Sequence, residues 1–216
     1  MQDPVKPLLI LGTRTLAVEI ADLVSEIPDY EVVSFVENMK PERCRETLED
    51  LSIIWVDEVA DLAGSHYAVC GLATTRRSRF TEQVAKYGIP FATVVHPSAR
   101  ISSKSAVGEG TIVSVGVIIA AHTHLGRHVL VNRGALIGHH TKVGDYVTIN
   151  PGANIAGACR IGEATYIGMG AVVLDHITIG SHSVVGAGAV VTKDVPDNVQ
   201  VVGVPAKIVK ENIEGK

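Results

Sequence analysis

The chain of 216 residues is poor in aromatic residues and in charge of one dominant sign. Aromatic residues make up 4% of the sequence and charged residues 19%, whereas hydrophobic residues make up 46%. The core must therefore be built mainly from aliphatic side chains, which favours repetitive β-structure over an aromatic-rich globule. The formal net charge of −4 gives no general electrostatic case for nucleic-acid binding.

Cysteines and long apolar runs are scarce as well. The three cysteines, Cys44, Cys70 and Cys159, have no metal-ligand spacing and are too few and too scattered for a disulfide framework. This usage fits a reducing compartment, so we predict a cytoplasmic location. The first apolar run, residues 8–11, is too short for a membrane span and lacks the flanks of a signal peptide. We expect no membrane insertion.

The first part of the chain alternates between strand-like and helix-like segments. Predicted strands lie at residues 7–12, 30–38, 67–74 and 91–96, and predicted helices at residues 15–27 and 76–88. Alternation of this kind is typical of a parallel sheet with crossover helices. The pattern predicts a small α/β domain over residues 1–95.

After residue 100 every sixth residue is aliphatic, without an insertion or deletion. The positions are Ile101, Val107, Val113, Ile119, Leu125, Val131, Ile137, Val143, Ile149, Ile155, Ile161, Ile167, Val173, Ile179, Val185 and Val191. A fixed short period indicates a solenoid, here a parallel β-helix of hexapeptides. We predict this domain over residues 96–195, followed by a turn and tail over residues 196–216.

Three hexapeptides complete one coil of the solenoid, so residues eighteen apart should stack. The stacked residues are expected about 4.8 Å apart, the spacing of neighbouring β-strands. His139 and Gly157 are eighteen residues apart and follow inward-pointing aliphatic residues. Both should therefore lie in one column near a corner of a three-sided prism.

The hexapeptides and the segment GVPAK at residues 203–207 resemble the hexapeptide-repeat acyltransferases. With the preceding α/β domain, the chain is similar to bacterial sugar N-acetyltransferases of the sialic-acid O-acetyltransferase and bacillosamine-pathway type. These include enzymes that acetylate nucleotide-linked 4-amino-4,6-dideoxy sugars, perosamine among them, for polysaccharide biosynthesis. The resemblance implies a left-handed β-helix, a homotrimer, and acetyl-CoA lying between neighbouring prisms.

The segment IGHHTKVG at residues 137–144 matches a family pattern, [IV]-x-H-[DE]-x-x-[IV]-G. The match implies that His139 is the general base, a role that suits an imidazole near neutral pH. It also implies that the backbone N–H of Gly157 stabilises the oxyanion, an effect worth about 3–4 kcal/mol in other enzymes. Asn132 matches a position near the acceptor amine, or it caps a turn.

His140 departs from this pattern, because the family has Asp or Glu there. A neutral second imidazole cannot supply the negative charge of a carboxylate. Another carboxylate could orient His139, a weaker base could suffice for an amine, or the activity could be impaired. His140 is predicted as a third catalytic residue, and the alternative is a pair of exposed corner histidines.

The acceptor and donor sites are assigned partly from position and partly from the resemblance. Gly12 follows a predicted strand and precedes a helix, so Gly12, Thr13, Arg14 and Thr15 could bind a diphosphate. The family motif G-x-x-G-[HF] is incomplete there, since Thr15 replaces its second glycine. The remaining predicted substrate-binding residues are Glu37, Asn38, Thr74 and Thr75, which end predicted strands, and the predicted CoA-binding residues are Thr148, Gly157, Met169, Ala187 and Lys207.

Together these observations predict an acetyl-CoA-dependent N-acetyltransferase that acts by direct transfer on the 4-amino group of a UDP-, GDP- or dTDP-linked sugar. Two alternatives remain: a sugar O-acetyltransferase with a sialic-acid-like acceptor, and a non-catalytic solenoid scaffold. No metal is expected. Prisms that bind zinc use histidines five residues apart on one coil, and no histidine pair in the prism has this spacing.

Overall fold

A computed structural model describes residues 4–216 of the chain; residues 1–3, the start of the first predicted domain, lie outside the described residues. The Cα atoms form two compact units. Unit 1 contains the described residues up to Ala73 together with Arg77–Pro97, and unit 2 contains Thr74–Arg76 and Ser98–Lys216. Each unit is described separately.

Unit 1 contains a five-stranded sheet. The elements of unit 1 are β1 (Lys6–Leu11), α1 (Thr15–Ser25), β2 (Tyr30–Glu37), β3 (Thr47–Leu48), β4 (Leu51–Trp55), β5 (Tyr67–Cys70), α2 (Ser78–Ala85) and β6 (Val94–Val95), with 3₁₀ helices at Pro41–Arg45 and Val56–Leu62. The sheet consists of the first five of these strands. The strand order is β3-β4-β2-β1-β5, and only the β3–β4 pair is antiparallel. The sequence analysis did not predict β3 and β4, and β5 ends four residues before the predicted strand does.

The central strand β1 explains why this sheet is recognisable from sequence. Leu8, Leu9, Ile10 and Leu11 are all completely buried. A parallel strand covered on both faces reads as a continuous apolar run rather than an alternating one. The strand order also changes direction at β1, because β2 lies on one side of it and β5 on the other. Ligands of open parallel sheets bind at the carboxyl ends of strands at such a point.

Unit 2 is built from two-residue strands that recur every six residues. They are β7 (Arg100–Ile101), β8 (Ala106–Val107), β9 (Ile112–Val113), β10 (Ile118–Ile119), β11 (His124–Leu125), β12 (Leu130–Val131), β13 (Leu136–Ile137), β14 (Lys142–Val143), β15 (Thr148–Ile149), β16 (Asn154–Ile155), β17 (Arg160–Ile161), β18 (Tyr166–Ile167), β19 (Val172–Val173), β20 (Thr178–Ile179), β21 (Val184–Val185) and β22 (Val190–Val191). The chain ends with β23 (Gln200–Val202) and an antiparallel partner, β24 (Lys207–Lys210), joined through the GVPAK segment.

Every third strand of unit 2 belongs to the same parallel sheet. Face 1 begins with β7 and β10, face 2 with β8 and β11, and face 3 with β9 and β12. Pairing joins residues eighteen apart, as in Ile119–Ile137 and Ile137–Ile155. The sixteen periodic residues are buried except for the first two, Ile101 and Val107, which are half-buried. The predicted hexapeptide β-helix is therefore present, and its aliphatic column forms the core.

Between the faces the chain turns at three corners. Corner 1–2, between faces 1 and 2, contains residues 120–123, 138–141, 156–159 and 174–177; corner 2–3 contains residues 108–111, 126–129, 144–147, 162–165 and 180–183; corner 3–1 contains residues 114–117, 132–135, 150–153, 168–171 and 186–189. One residue of each turn has a left-handed backbone, for example His140 with φ 59°. Histidine is among the residues enriched in this conformation.

Within residues 4–216, no helix combines the length and the apolar character needed to cross a membrane. The cytoplasmic location predicted from the cysteines stays a prediction.

Candidate active site

His139 lies at corner 1–2 with its ring directly against Gly157. A Cβ placed on Gly157 would lie 2.6 Å from Cε1 and 2.7 Å from Nε2 of His139. Such distances are far below van der Waals contact, so only glycine leaves room for the imidazole. The stacking predicted from the eighteen-residue spacing is therefore present. The ring lies against this glycine with Cε1 nearest to the position of the added Cβ, Nε2 at 2.7 Å and Nδ1 at 3.0 Å.

The backbone N–H of Gly157 is free to bind a ligand. Within residues 4–216 it donates no hydrogen bond, although its neighbours do: Ala158 N–H donates to the carbonyl oxygen of His139 at 2.7 Å, and Cys159 N–H donates to the hydroxyl of Thr141 at 3.3 Å. The carbonyl oxygen of Gly157 accepts from His176 N–H at 3.0 Å, which fixes this peptide in the coil. An unused donor thus lies beside an exposed imidazole.

His140 and His122 extend this site into a cluster of three imidazoles. The Nδ1 atoms of His139 and His140 are 3.1 Å apart, and the two rings are nearly perpendicular, at 85°. The ring of His122 lies 4.8 Å from that of His140, centroid to centroid. His122 and His140 occupy the same left-handed position in successive coils, with φ of 62° and 59°. The column structure thus aligns their side chains.

No carboxylate takes the place of the family's Asp or Glu. In the part of the chain that the structure describes, neither His139 nor His140 has an acidic side chain within salt-bridge distance. That range also contains no group of three or more His, Cys, Asp or Glu side chains arranged to hold a metal ion. The histidines of corner 1–2 contact one another rather than converging on one point.

Asn132, predicted near the acceptor amine, and the predicted CoA-binding residues other than Gly157 lie away from this corner. Asn132, Met169 and Ala187 lie at corner 3–1, across face 1 from His139. The Asn132 side-chain oxygen accepts the N–H of Arg133 at 3.0 Å, as expected for a residue that caps a turn. Lys207 begins β24 and is exposed. One chain therefore does not bring the predicted catalytic and CoA-binding residues together.

Thr148 is a correction to the predicted CoA groove. Its side chain is 0% exposed. It occupies the outward position of β15 on face 3, but neighbouring outward residues such as Ile112 and Leu130 are buried as well. Because this face is covered, Thr148 has no surface on which CoA could lie.

A cavity of about 610 Å³ opens at corner 3–1. Met169 and Ala187 line it together with Arg76, Lys210 and Lys216, three cations that the sequence analysis did not assign to any site. Lys216 Nζ lies 3.0 Å from the Tyr166 hydroxyl and 4.2 Å from the centre of its ring. One carboxylate, that of Glu214, also lines the cavity and lies 3.8 Å from the guanidinium of Arg76. With three cations and one carboxylate beside apolar surface, the cavity suits a ligand with both an apolar chain and phosphates.

Thr74 and Thr75 also belong to unit 2 and are bound by the C-terminal segment. The hydroxyl groups of Thr74 and Thr75 donate to the backbone oxygen of Lys216 at 2.6 Å and 3.0 Å, and Lys216 N–H donates to Thr75 at 2.9 Å. Thr75 is 2% exposed. These threonines are therefore engaged by the segment that lines the cavity, and they are not free to bind a nucleotide as predicted.

In unit 1, Glu37 and Thr13 form a buried polar pair at the carboxyl ends of β1 and β2. The Thr13 hydroxyl donates to Glu37 at 2.5 Å, and Arg43 donates to both the hydroxyl and the carbonyl oxygen of Thr13. Burial raises the pKa of the Glu37 carboxyl, but hydrogen bonds from Thr13 and from backbone N–H groups outweigh it, so the pKa lies below its ordinary value. Arg43 was not predicted as a site residue, because its local sequence does not show that its side chain contacts Thr13, which lies thirty residues earlier.

The glycine turn lies where the sequence places it. Gly12 has φ +111°, a backbone conformation that residues other than glycine rarely adopt. It leads into α1, and both Arg14, which precedes the helix, and Thr15, its first residue, are exposed. Asn38 follows Glu37, and its side-chain amide donates to Gln83 at 3.0 Å. The predicted residues of this turn and of β2 therefore lie at one edge of the sheet.

The model of the family described as bacterial transferase hexapeptide (six repeats) matches residues 158–193. No curated protein matches the sequence.

Solved structures match nearly the whole chain. PerB from Caulobacter crescentus, in complex with CoA and GDP-perosamine, is 27% identical with a TM-score of 0.88, and the match covers 96% of this chain and 99% of PerB. The acetyltransferase domain of PglB from Neisseria gonorrhoeae, in complex with acetyl coenzyme A, is 28% identical with a TM-score of 0.88 and coverage of 95% and 100%. WeeI from Acinetobacter baumannii is 26% identical with a TM-score of 0.86 and coverage of 95% and 100%. These matches confirm the predicted fold class, an α/β domain followed by a left-handed parallel β-helix, and the predicted resemblance to the hexapeptide-repeat sugar N-acetyltransferases.

Proposed function

We propose that the chain is an N-acetyltransferase that transfers acetyl directly from acetyl-CoA to the 4-amino group of a nucleotide-linked 4-amino-4,6-dideoxy sugar. The acyltransferase class and the acetyl-CoA co-substrate, both predicted from the sequence, are confirmed by the matched complexes with CoA and acetyl coenzyme A. The acceptor and the mechanism are our inference. The acceptor is proposed from the similarity to PerB, which was solved in complex with GDP-perosamine. The observation that carries the mechanism is the His139 ring lying against Gly157, whose N–H is unused.

His139 supplies the base in the proposed mechanism. The acceptor amine attacks the thioester carbonyl carbon while Nε2 of His139 takes the proton that the nitrogen loses. The N–H of Gly157 donates to the carbonyl oxygen as its negative charge develops. When the carbon–sulfur bond breaks, Nε2 returns its proton to the CoA sulfur. No acyl-enzyme forms, and His139 finishes in its starting state.

Face 1 supports assembly into a homotrimer. Two of its outward positions, Arg100 and Asn154, are polar, and the other four are apolar: Ile118, 46% exposed, Leu136, 38% exposed, Val172 and Val190. Face 1 runs from corner 1–2, which carries His139, to corner 3–1, which carries Met169. Copies packed through this apolar face would place corner 3–1 of one copy beside corner 1–2 of the next. We propose that the donor site is completed in this way, which accounts for the separation of its residues within one chain.

The cavity at corner 3–1 fits the donor in this arrangement. Met169 follows His139 by 30 residues, which at eighteen residues per coil and about 4.8 Å per coil is an axial offset of about 8 Å. Acetyl-CoA with its thioester at His139 would extend along the prism past Met169 and Ala187. Its phosphates would then lie among Arg76, Lys210 and Lys216, which line the same cavity.

The crevice of unit 1 is the proposed acceptor nucleotide site. The diphosphate would lie at the N-terminus of α1, beside Gly12, Arg14 and Thr15, where backbone N–H groups and the helix dipole attract anions. Glu37 would accept hydrogen bonds from the base or ribose.

The deciding experiment is transfer of isotopically labelled acetyl from acetyl-CoA to defined UDP-, GDP- and dTDP-linked 4-amino sugars, with sialic acid and 4-hydroxy sugar nucleotides alongside. We expect an amide product with one or more of the amino sugars. An ester product with a hydroxyl acceptor alone would indicate the O-acetyltransferase alternative. No transfer to any acceptor, from a folded and oligomeric protein, would favour the scaffold alternative.

A further inference from the structure

The contact between His139 and His140 joins the same atom of each ring. Their Nδ1 atoms are 3.1 Å apart, a hydrogen-bond distance, and the rings meet edge to face. A hydrogen bond between two such nitrogens needs one proton between them. When both rings are neutral, one Nδ1 must therefore donate and the other must accept.

The direction of this hydrogen bond decides whether His139 can act as a base. If His140 donates, the neutral His139 carries its proton on Nε2 and cannot accept another there. If His139 donates, its Nε2 has a free lone pair. Only the second arrangement gives a free lone pair on the nitrogen that is not engaged with His140, on a ring that lies against Gly157 with its unused N–H.

We infer that His140 is a positioning residue: its Nδ1 accepts the Nδ1–H of His139 and keeps Nε2 of His139 unprotonated. This inference rests on the proposed function and goes beyond it, because it assigns the orienting role to a neutral ring. His140 itself then carries its proton on Nε2. When His139 takes the amine proton it becomes a cation, and its Nδ1–H still donates to His140, so no proton passes to the second ring.

Two features hold the His140 ring in place for this role. Its backbone is left-handed, with φ 59°, and its N–H donates to the carbonyl oxygen of Ala121 at 3.0 Å. The His122 ring lies against its other side, with the planes tilted by 35°. An acceptor restrained by backbone and neighbour loses less side-chain freedom when it binds than a free surface ring would.

A neutral acceptor differs from a carboxylate in what it stabilises. A carboxylate would add a full charge beside the cationic form of His139, whereas an imidazole offers only a lone pair. His140 therefore fixes the tautomer and orientation of His139 without placing a negative charge beside it. This is sufficient for an amine, which is already a good nucleophile.

The first test reads the tautomer directly and does not depend on activity. In ¹⁵N-labelled protein at about pH 8.5, where an ordinary imidazole is neutral, two-bond ¹⁵N–¹H correlations distinguish protonated from unprotonated ring nitrogens. The His139 signals are assigned by their loss in His139→Asn. We expect a single tautomer with the proton on Nδ1, and a mixture of tautomers in His140→Ala. A proton found on Nε2 of His139 in the unaltered protein would overturn the inference.

The second test compares three substitutions in steady-state kinetics. His140→Ala should lower kcat about tenfold or more, within the ~10²–10⁴ that a general base contributes, with the KM for acetyl-CoA changed less than twofold. His140→Asn should recover most of this loss, since its carbonyl oxygen accepts and asparagine tolerates the left-handed backbone. Equal activity of His140→Ala and the unaltered protein, or no recovery in His140→Asn, would refute the role.

The matched control is His176→Ala. His176 occupies the same column two coils away, with φ 60°, and is exposed. Ala158 shows that this column accommodates alanine with φ 59°. The control should keep the kcat of the unaltered protein. If no acceptor is acetylated by any variant, the proposed function fails, and the tautomer measurement still decides the role of His140.

Discussion

His140 at corner 1–2 and His128 at corner 2–3 have the same backbone and different surroundings. Both have a left-handed backbone, with φ of 59° and 54°, and both donate their N–H to a carbonyl oxygen nineteen residues earlier in the chain, that of Ala121 and of Glu109. His128, however, is 7% exposed, whereas His140 is exposed and bonds to His139. The corner conformation explains why histidine is present in both turns; the neighbours of the ring decide what it does.

The buried ring is held by packing. The His128 ring stacks on Tyr146, with centroids 5.1 Å apart and planes within 10°, and it fills the space beside Gly110. Stacked aromatic pairs of this kind add to stability beyond the area that they bury. One corner thus uses histidine for structure, and the other exposes it beside an unused backbone donor.

The largest effect should come from corner 1–2. His139→Asn removes the proposed base, and kcat should fall about 10²–10⁴-fold. Thermal unfolding and the oligomeric state measured by light scattering should not change, because the side chain is exposed. Unchanged kcat would exclude His139 as the base, and corner 1–2 would then have no catalytic role that distinguishes it from corner 2–3.

Gly157→Ala should displace the His139 ring without removing it. The new Cβ would lie 2.6 Å from Cε1, so the ring must shift, and a displacement near 1 Å can cost about 10²-fold in rate. In a His139→Ala background the same change should cost little more, since no ring is left to displace. Equal losses in both backgrounds would mean that Gly157 acts independently of His139.

His128→Asn and His140→Asn test the comparison directly, because asparagine suits both backbones. The first should lower the free energy of unfolding by about 2 kcal/mol through lost burial and stacking, and the second by less than about 0.5 kcal/mol. Urea unfolding at a fixed protein concentration measures both, because unfolding of an oligomer depends on concentration. Equal changes in the free energy of unfolding would show that His128 contributes no more to stability than His140, contrary to the proposed difference between the two corners.

Corner 3–1 extends the comparison to donor binding. Arg76→Ala should raise the KM for acetyl-CoA about two- to fivefold, the size expected for one exposed ion pair. The same variant should be measured with acetyl-CoA that lacks the 3′-phosphate. If Arg76 binds the 3′-phosphate, the KM for this donor should rise less than the KM for acetyl-CoA, and if Arg76 binds the diphosphate, the two KM values should rise equally. Arg79→Ala, an exposed arginine of α2, is the control. Unchanged KM for both donors would take Arg76 out of the site.

The smallest effect concerns the carboxylate of unit 1. The pKa of Glu37 in the folded state lies below its ordinary value of 4.5, so the group stabilises the fold above that pH and the contribution is lost as the pH falls through the folded-state pKa. The stability difference between the unaltered protein and Glu37→Gln should therefore be constant near neutral pH and shrink below about pH 4.5. If this stability difference instead grew as the pH fell, the pKa of Glu37 in the folded protein would lie above its ordinary value, contrary to the expectation.

Most of unit 2 is predictable because its period needs no long-range information. Each hexapeptide repeats the same local choice, and the stacking of His139 on Gly157 follows from counting eighteen residues. In unit 1, β1 and the turn at Gly12 are predictable from a buried run and a required glycine. The strands β3 (Thr47–Leu48) and β4 (Leu51–Trp55) are separated by only two residues and are too short to be recognised locally.

The sequence by itself determined the three-sided coil, the phase of its core and the column that joins His139 to Gly157, because a strict period fixes which residues stack. The tertiary structure alone decided that Thr148 is covered, that Thr74 and Thr75 bind the last residues of the chain, and that Arg76 reaches the cavity beside Met169. It also decided that His140 faces His139 while His128 packs on Tyr146. Thr74, Thr75 and Arg76 contact segments far away in the chain, which no local pattern encodes. The burial of Thr148 and the different surroundings of His140 and His128 depend on the packing around each side chain, which the repeated corner conformation does not specify.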